Sequence, residues 1–178
     1  LLNGNPIWKK RTIGIGPLPK ELAIAYGVSG PILRASGVDF DLRRDDPYSI
    51  YDRFDFEIPV RHNCDVFDRY MLRLDEIKQS LRIITQALDG LPEGDIKAKV
   101  SMKFKPPAGE VYSRVENSRG ELGVYILSDG TDKPVRVKTR GGSYNHLQVI
   151  PEFATDILIA DLVAIFASFD IIMPEVDR

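Results

Sequence analysis

Cys64, His62 and His146 are the soft and imidazole donors of this chain, and their number limits its metal chemistry. One thiol cannot close an intramolecular disulfide, hold an iron–sulfur cluster or complete a Cys-based zinc site, and it suits a reducing compartment. The two histidines lie far apart without a His-x-x-x-His partner, so each is read as a surface or hydrogen-bonded residue. Cys64 is read as structural or incidental. Gly14-Ile15-Gly16 lacks both a Gly-Lys-Ser/Thr continuation and the third glycine of a dinucleotide fingerprint. Ser29 and Ser36 stand near glycines but outside a Gly-x-Ser-x-Gly elbow, which argues against a serine hydrolase.

A dense run of Asp and Arg from Arg34 to Asp55 leaves two chemistries open. Carboxylates gripped by guanidinium forks can fix a loop whose backbone no regular ladder satisfies. Closely spaced carboxylates with shifted pKa values can instead relay protons. The structural reading is favoured.

The elements that must position these groups are partly visible. Gly and Pro punctuate residues 1–38, allowing only short helices and tight loops, with Pro19 opening one that Gly27 stops. Asp39 to Val60 is expected to be loop-rich and cross-linked by ion pairs. From about Asp65 to Leu88, Phe67, Tyr70, Leu74, Ile77, Leu81, Ile84 and Leu88 recur at steps of three and four, which predicts an amphipathic helix. Asn63 or Asp65 can cap its start, and Gly90 with Pro92 stops it. The opposite face, with Arg69, Arg73, Glu76 and Arg82, is expected to face away from a bundle. Val111–Glu116, Glu121–Leu127 and Pro134–Arg140 read as a three-stranded meander, the first two joined by a four-residue loop at Asn117–Gly120. Leu147 to Met173 returns to helical spacing and ends at Pro174.

The 178 residues, 43% hydrophobic and 28% charged, have the composition of a globular domain with a real core. The 24 basic and 26 acidic side chains are interspersed, so there is no footprint for nucleic acid. Ile157 to Met173 is interrupted by Asp161 and Asp170 and is too short to span a bilayer. A start at Leu1 without a signal sequence leads us to expect a chain that begins partway through a longer polypeptide. The expected architecture is α+β: one long bundle helix, a small antiparallel sheet and a C-terminal helical segment.

Several ordered motifs carry a resemblance. Ser29-Gly30-Pro31, Leu33-Arg34-Ala35-Ser36-Gly37-Val38, Asp41-Leu42-Arg43, Asp68-Arg69-Tyr70, Arg119-Gly120-Glu121-Leu122-Gly123-Val124-Tyr125 and Glu175-Val176-Asp177-Arg178 recur in order. The chain resembles, nearly end to end, the C-terminal half of the D-type, hydrogenase-like subunit of NADH:quinone oxidoreductase (respiratory complex I). That family is related to the large subunit of nickel–iron hydrogenases. Hydrogenases carry a Cys-x-x-Cys pair near the C-terminus, where this chain reads Asp170-Ile171-Ile172-Met173. Without those thiolates a nickel–iron cage cannot form. The pattern departs from its relatives at Gly141-Gly142, Ala167 and Pro174.

The resemblance implies that residues 1–178 form the second half of a hydrogenase large-subunit-like fold whose N-terminal half lies outside this sequence. It implies a quinone substrate, no covalently bound cofactor and no metal in this chain. Iron–sulfur clusters and FMN would sit in partner subunits: an iron–sulfur subunit carrying the terminal cluster, other peripheral-arm subunits and membrane-arm subunits. Asp170, Ile172, Phe169 and Met173 are the implied quinone-cavity candidates, and Arg34, Asp41, Arg43, Asp177 and Arg178 the structural motif. The implied location is peripheral, on the cytoplasmic side of the cell membrane. A non-catalytic docking fragment and a component of a membrane-bound hydrogenase-related complex are the alternatives.

Overall fold

The computed structural model describes residues 2–99 and 104–177. Four short helices come first: α1 (Pro6–Lys10), α2 (Lys20–Ala25), α3 (Gly30–Ala35) and α4 (Leu42–Asp45). Asn5 caps α1 by accepting from the Ile7 and Trp8 amides, and Pro6 supplies a first-turn residue whose missing N–H costs nothing. A single 3-10 turn at Tyr51–Arg53 is all the regular structure between α4 and the long helix.

Helix α5 (Val66–Asp89) has 24 residues and is about 36 Å long. Its cap is Asp65, which accepts from the Asp68 amide at 2.8 Å and with its other oxygen from the Gly14 amide at 2.7 Å. One carboxylate thus starts the helix and anchors the glycine turn of the N-terminal segment. Gly90 closes the other end.

The face of α5 that turns inward is not the expected one. Arg69 is fully buried, giving Nε to Ser168 Oγ (2.8 Å), Nη1 to the Cys64 carbonyl (2.7 Å) and Nη2 to the Gly16 carbonyl (2.9 Å), and lying 4.9 Å over the Phe169 ring. Glu76 pairs with Arg34. Ile77, Leu81, Ile84 and Leu88 are exposed. The inversion has a physical cause: the Gly16 and Cys64 carbonyls, the Ser168 hydroxyl and the Arg34 guanidinium converge on this face, and Arg69 and Glu76 satisfy them.

Strands β1 (Gly109–Asn117), β2 (Gly120–Ser128) and β3 (Arg136–Arg140) form the expected meander in the order β1-β2-β3. Asn117 pairs with Gly120, so the hairpin closes on two residues, Ser118 and Arg119, one pair tighter than the expected loop. Gly30, at φ +66°, allows α3 to meet this hairpin: a Cβ there would lie 2.3 Å from the Gly120 Cα. The Ser29 hydroxyl accepts from the Glu121 amide at 3.0 Å across the same junction.

The C-terminal segment is three helices rather than one run: α6 (Gly142–Phe153), α7 (Ile159–Phe169) and α8 (Met173–Val176). Pro151 lies in the last turn of α6, and Asp156 and Asp170 take left-handed backbone angles between and after the helices. Apolar spacing survives such interruptions, so periodicity alone does not reveal them. Pro174 opens α8 instead of ending the helix. The core gathers Leu18, Val28, Ile32, Val149, Ile165 and Phe169, among others, from α3, α6, α7 and the loops before them. Among the described residues no helix is long and apolar enough to cross a membrane.

Candidate functional site

Helix α7 ends at Asp170, in the left-handed conformation (φ 52°, ψ 48°). Left-handed backbone is disfavoured for a residue with a Cβ unless the surroundings hold it. Arg119, at the tip of the β1–β2 hairpin, does so twice: its Nε donates to the Asp170 carbonyl at 3.0 Å, and its Nη2 lies 3.1 Å from the carboxylate. The Asp170 side chain is 50% exposed, a helix-end carboxylate met by an arginine and not a buried one.

The following residues are fixed from below. Ser143 is fully buried; its hydroxyl donates to Glu175 Oε2 at 2.5 Å and accepts from the Ile172 amide at 3.3 Å. Asn117 Nδ2 reaches the other Glu175 oxygen at 3.3 Å. Ile172 is half-buried and Met173 exposed. Phe169 differs from its neighbours: it is wholly buried, stacked 5.9 Å from Phe153 and edge-on to His146. It therefore belongs to the core behind the segment and does not present a surface to a cavity in this chain.

Two clefts adjoin Asp170. The first, about 400 Å³, is lined largely by apolar and aromatic groups, including Trp8, Tyr70, Val163, Ala164 and Ala167. The second, about 410 Å³, is ionic, with Arg34, Arg43, Glu76 and Glu116 in its wall. Arg73 and Asp170 line both.

Arg34, Asp41 and Arg43 come together at the second cleft. Arg34 is 1% exposed and reaches Glu76 at 2.7 Å, Glu116 at 2.8 Å and Asp41 at 3.2 Å, while donating to the Phe40 carbonyl. Asp41, also buried, is held bidentately by Arg43 at 2.9 and 2.6 Å. Burial works against its charge, but the Arg43 hydrogen bonds and the Arg34 charge keep its carboxyl below the ordinary value. Glu116 goes the other way: burial pushes it up despite Arg34. These carboxylates are committed to guanidinium partners, the arrangement expected of a cross-linked loop.

Arg73 is different. Burial lowers its pKa, opposed by the charges of Asp170 and Glu76. Its one hydrogen bond among the described residues runs from Nη1 to the Arg69 carbonyl at 3.1 Å. Asp177 is exposed near the end of the chain, and Arg178 lies outside the described residues. His146 is a buried, hydrogen-bonded residue, its Nε2 3.2 Å from the Ser29 carbonyl; His62 is exposed. Cys64 donates to the His62 carbonyl. Among the described residues no group of three or more His, Cys, Asp or Glu side chains could hold a metal ion.

The sequence placed Asp170 and Ile172 near one another but gave no notice that Arg119, Ser143 and Trp8 come to the site from distant segments. Arg73 shared a helix face with Arg69, a periodicity that marks the face without revealing what it meets.

Comparison with known proteins shows the family. A family model described as the respiratory-chain NADH dehydrogenase, 49 Kd subunit matches residues 1–102 and 98–178. Proteins named as the D-type subunit of NADH-quinone oxidoreductase are similar throughout. That of Dehalococcoides mccartyi is 53% identical over 178 residues, covering 100% of this chain and 48% of the relative. That of Desulfitobacterium hafniense is 53% identical over 175 residues, covering 98% and 47%. That of Clostridium beijerinckii is 48% identical over 178 residues, covering 100% and 48%. The chain spans about half the length of the curated relatives it matches.

Proposed function

This chain belongs to the respiratory-chain NADH dehydrogenase 49 Kd subunit family, and from that premise we propose that it helps form the cavity in which an NADH-quinone oxidoreductase reduces quinone. It corresponds to the C-terminal half of such a subunit, with a hydrogenase large-subunit-like fold. NADH is the donor, and electrons reach quinone through FMN and iron–sulfur clusters held by partner subunits, coupled to proton translocation. A chain with a single cysteine is consistent with clusters held elsewhere. Its partners are the iron–sulfur subunit carrying the terminal cluster, the other peripheral-arm subunits and the membrane arm. The location is peripheral, on the cytoplasmic side of the cell membrane.

The observation that carries this reading is Asp170 at the rim shared by an apolar and an ionic cleft. Quinone reduction needs an apolar slot for the ring and polar groups for oxygens that gain charge and then protons. Asp170, oriented by Arg119, supplies a carboxylate that orients the head group or takes part in its protonation. Ile172 and Met173 supply apolar contact, and Phe169 supports the segment from the core.

Asp170→Asn and Asp170→Ala in the assembled oxidoreductase test it. Both variants should assemble, still pass electrons from NADH to an artificial acceptor, and lose quinone reduction or change inhibitor affinity. Unaltered quinone kinetics in both would make Asp170 structural. A docking role is the second reading, favoured by the exposed Ile77, Leu81, Ile84 and Leu88 stripe of α5; variants that fail to assemble would support it.

A further inference from the structure

Resting on the quinone-reducing reading of this site, we propose that Arg73 is a binding residue for quinone, its guanidinium donating to a head-group oxygen while the ring lies in the apolar cleft between α1, α5 and α7.

The argument begins with unmet donors. A guanidinium carries five N–H groups, and Arg73 has a single hydrogen bond among the described residues, to the Arg69 carbonyl. The other arginines nearby are matched. Arg11, in the same cleft, meets Asp161 at 2.7 Å; Arg34 meets three carboxylates; Arg43 grips Asp41. Among the described residues no carboxylate lies within 4.0 Å of the Arg73 guanidinium. Arg73 lines the cleft, so its remaining N–H groups are available to a ligand oxygen there.

The shape selects the acceptor. Trp8 and Tyr70 meet edge to face, 5.4 Å between centroids, on one wall. Ala160, Ala164 and Ala167 on α7 leave the opposite wall low. The volume of about 400 Å³ lies within the range of small-molecule sites, ~300–1,000 Å³. A flat apolar ring bearing oxygen acceptors meets all three conditions. Asp170 lines the same cleft as Arg73.

The test uses the assembled oxidoreductase, where quinone reduction by NADH and electron transfer from NADH to an artificial acceptor are measured side by side. Arg73→Gln should raise the KM for a short-chain quinone roughly tenfold and leave the artificial-acceptor rate unchanged. Arg73→Lys, which keeps the charge but loses the fork, should fall between. An unchanged KM in Arg73→Gln, or equal losses of both activities, would overturn the proposal. If Arg73→Gln does not assemble, Arg73→Lys decides on the same readout. An unchanged KM here alongside altered quinone kinetics in Asp170→Asn would remove only the role of Arg73; unaltered kinetics there as well would remove the functional reading itself.

Discussion

Arg34→Met removes the cation around which the Asp/Arg cross-link is built. In the native fold Arg34 and Asp41 are buried and the Glu116 side chain is 5% exposed, so deleting the guanidinium leaves two carboxylates out of water with diminished compensation. Breaking a buried pair in this way costs about 3–5 kcal/mol, against about 0–1 kcal/mol for an exposed pair. For a chain of this size that corresponds to a fall in Tm on the order of 10 °C. The measurement is urea and thermal unfolding followed by circular dichroism. The pH dependence carries a sign. Asp41 has a lowered folded-state pKa, so its stabilisation is complete above the unfolded value and disappears as pH falls through the folded value. Glu116, already raised, rises further without Arg34, so acid favours the variant. The difference between wild type and Arg34→Met should therefore shrink below the ordinary carboxylate range. Adding Glu116→Gln should recover part of the loss, because Asp41 keeps Arg43 while the carboxylate that lost its guanidinium becomes neutral. A cost under ~1 kcal/mol for Arg34→Met, or a difference that grows in acid, would refute the reasoning. A variant that does not fold agrees with it only if the double variant does.

Two further outcomes are expected. Burial pulls the His146 pKa down to about 4, so the neutral ring stabilises the fold above the unfolded value and loses that contribution as pH falls toward 4; comparison with His146→Gln across this window should show a difference on the order of 3 kcal/mol in wild type's acid sensitivity. Phe169→Ala should cost about 3–5 kcal/mol of stability through the cavity it leaves beneath Arg69; a near-neutral result in equilibrium unfolding would move Phe169 out of the core and back toward the cavity.

The bounds of α5 were legible in the sequence because caps and periodicity are local. Asp65 and Gly90 lie beside the amides and carbonyls they satisfy, and apolar residues three or four apart share a face whatever the fold around them. The meander was legible for the same reason, each strand pairing with its neighbour across a short turn. The resemblance carried the family, which periodicity could not name. Which face of α5 turns inward was decided elsewhere, by the Gly16 and Cys64 carbonyls, Ser168 and Arg34, which meet Arg69 and Glu76 only once the chain has closed. The same holds for Asp170: its left-handed turn depends on Arg119, 51 residues earlier, at the tip of a hairpin. Hydrophobic spacing cannot report such contacts, because a buried guanidinium is stabilised by acceptors brought from other segments, and their convergence is a property of the tertiary structure alone.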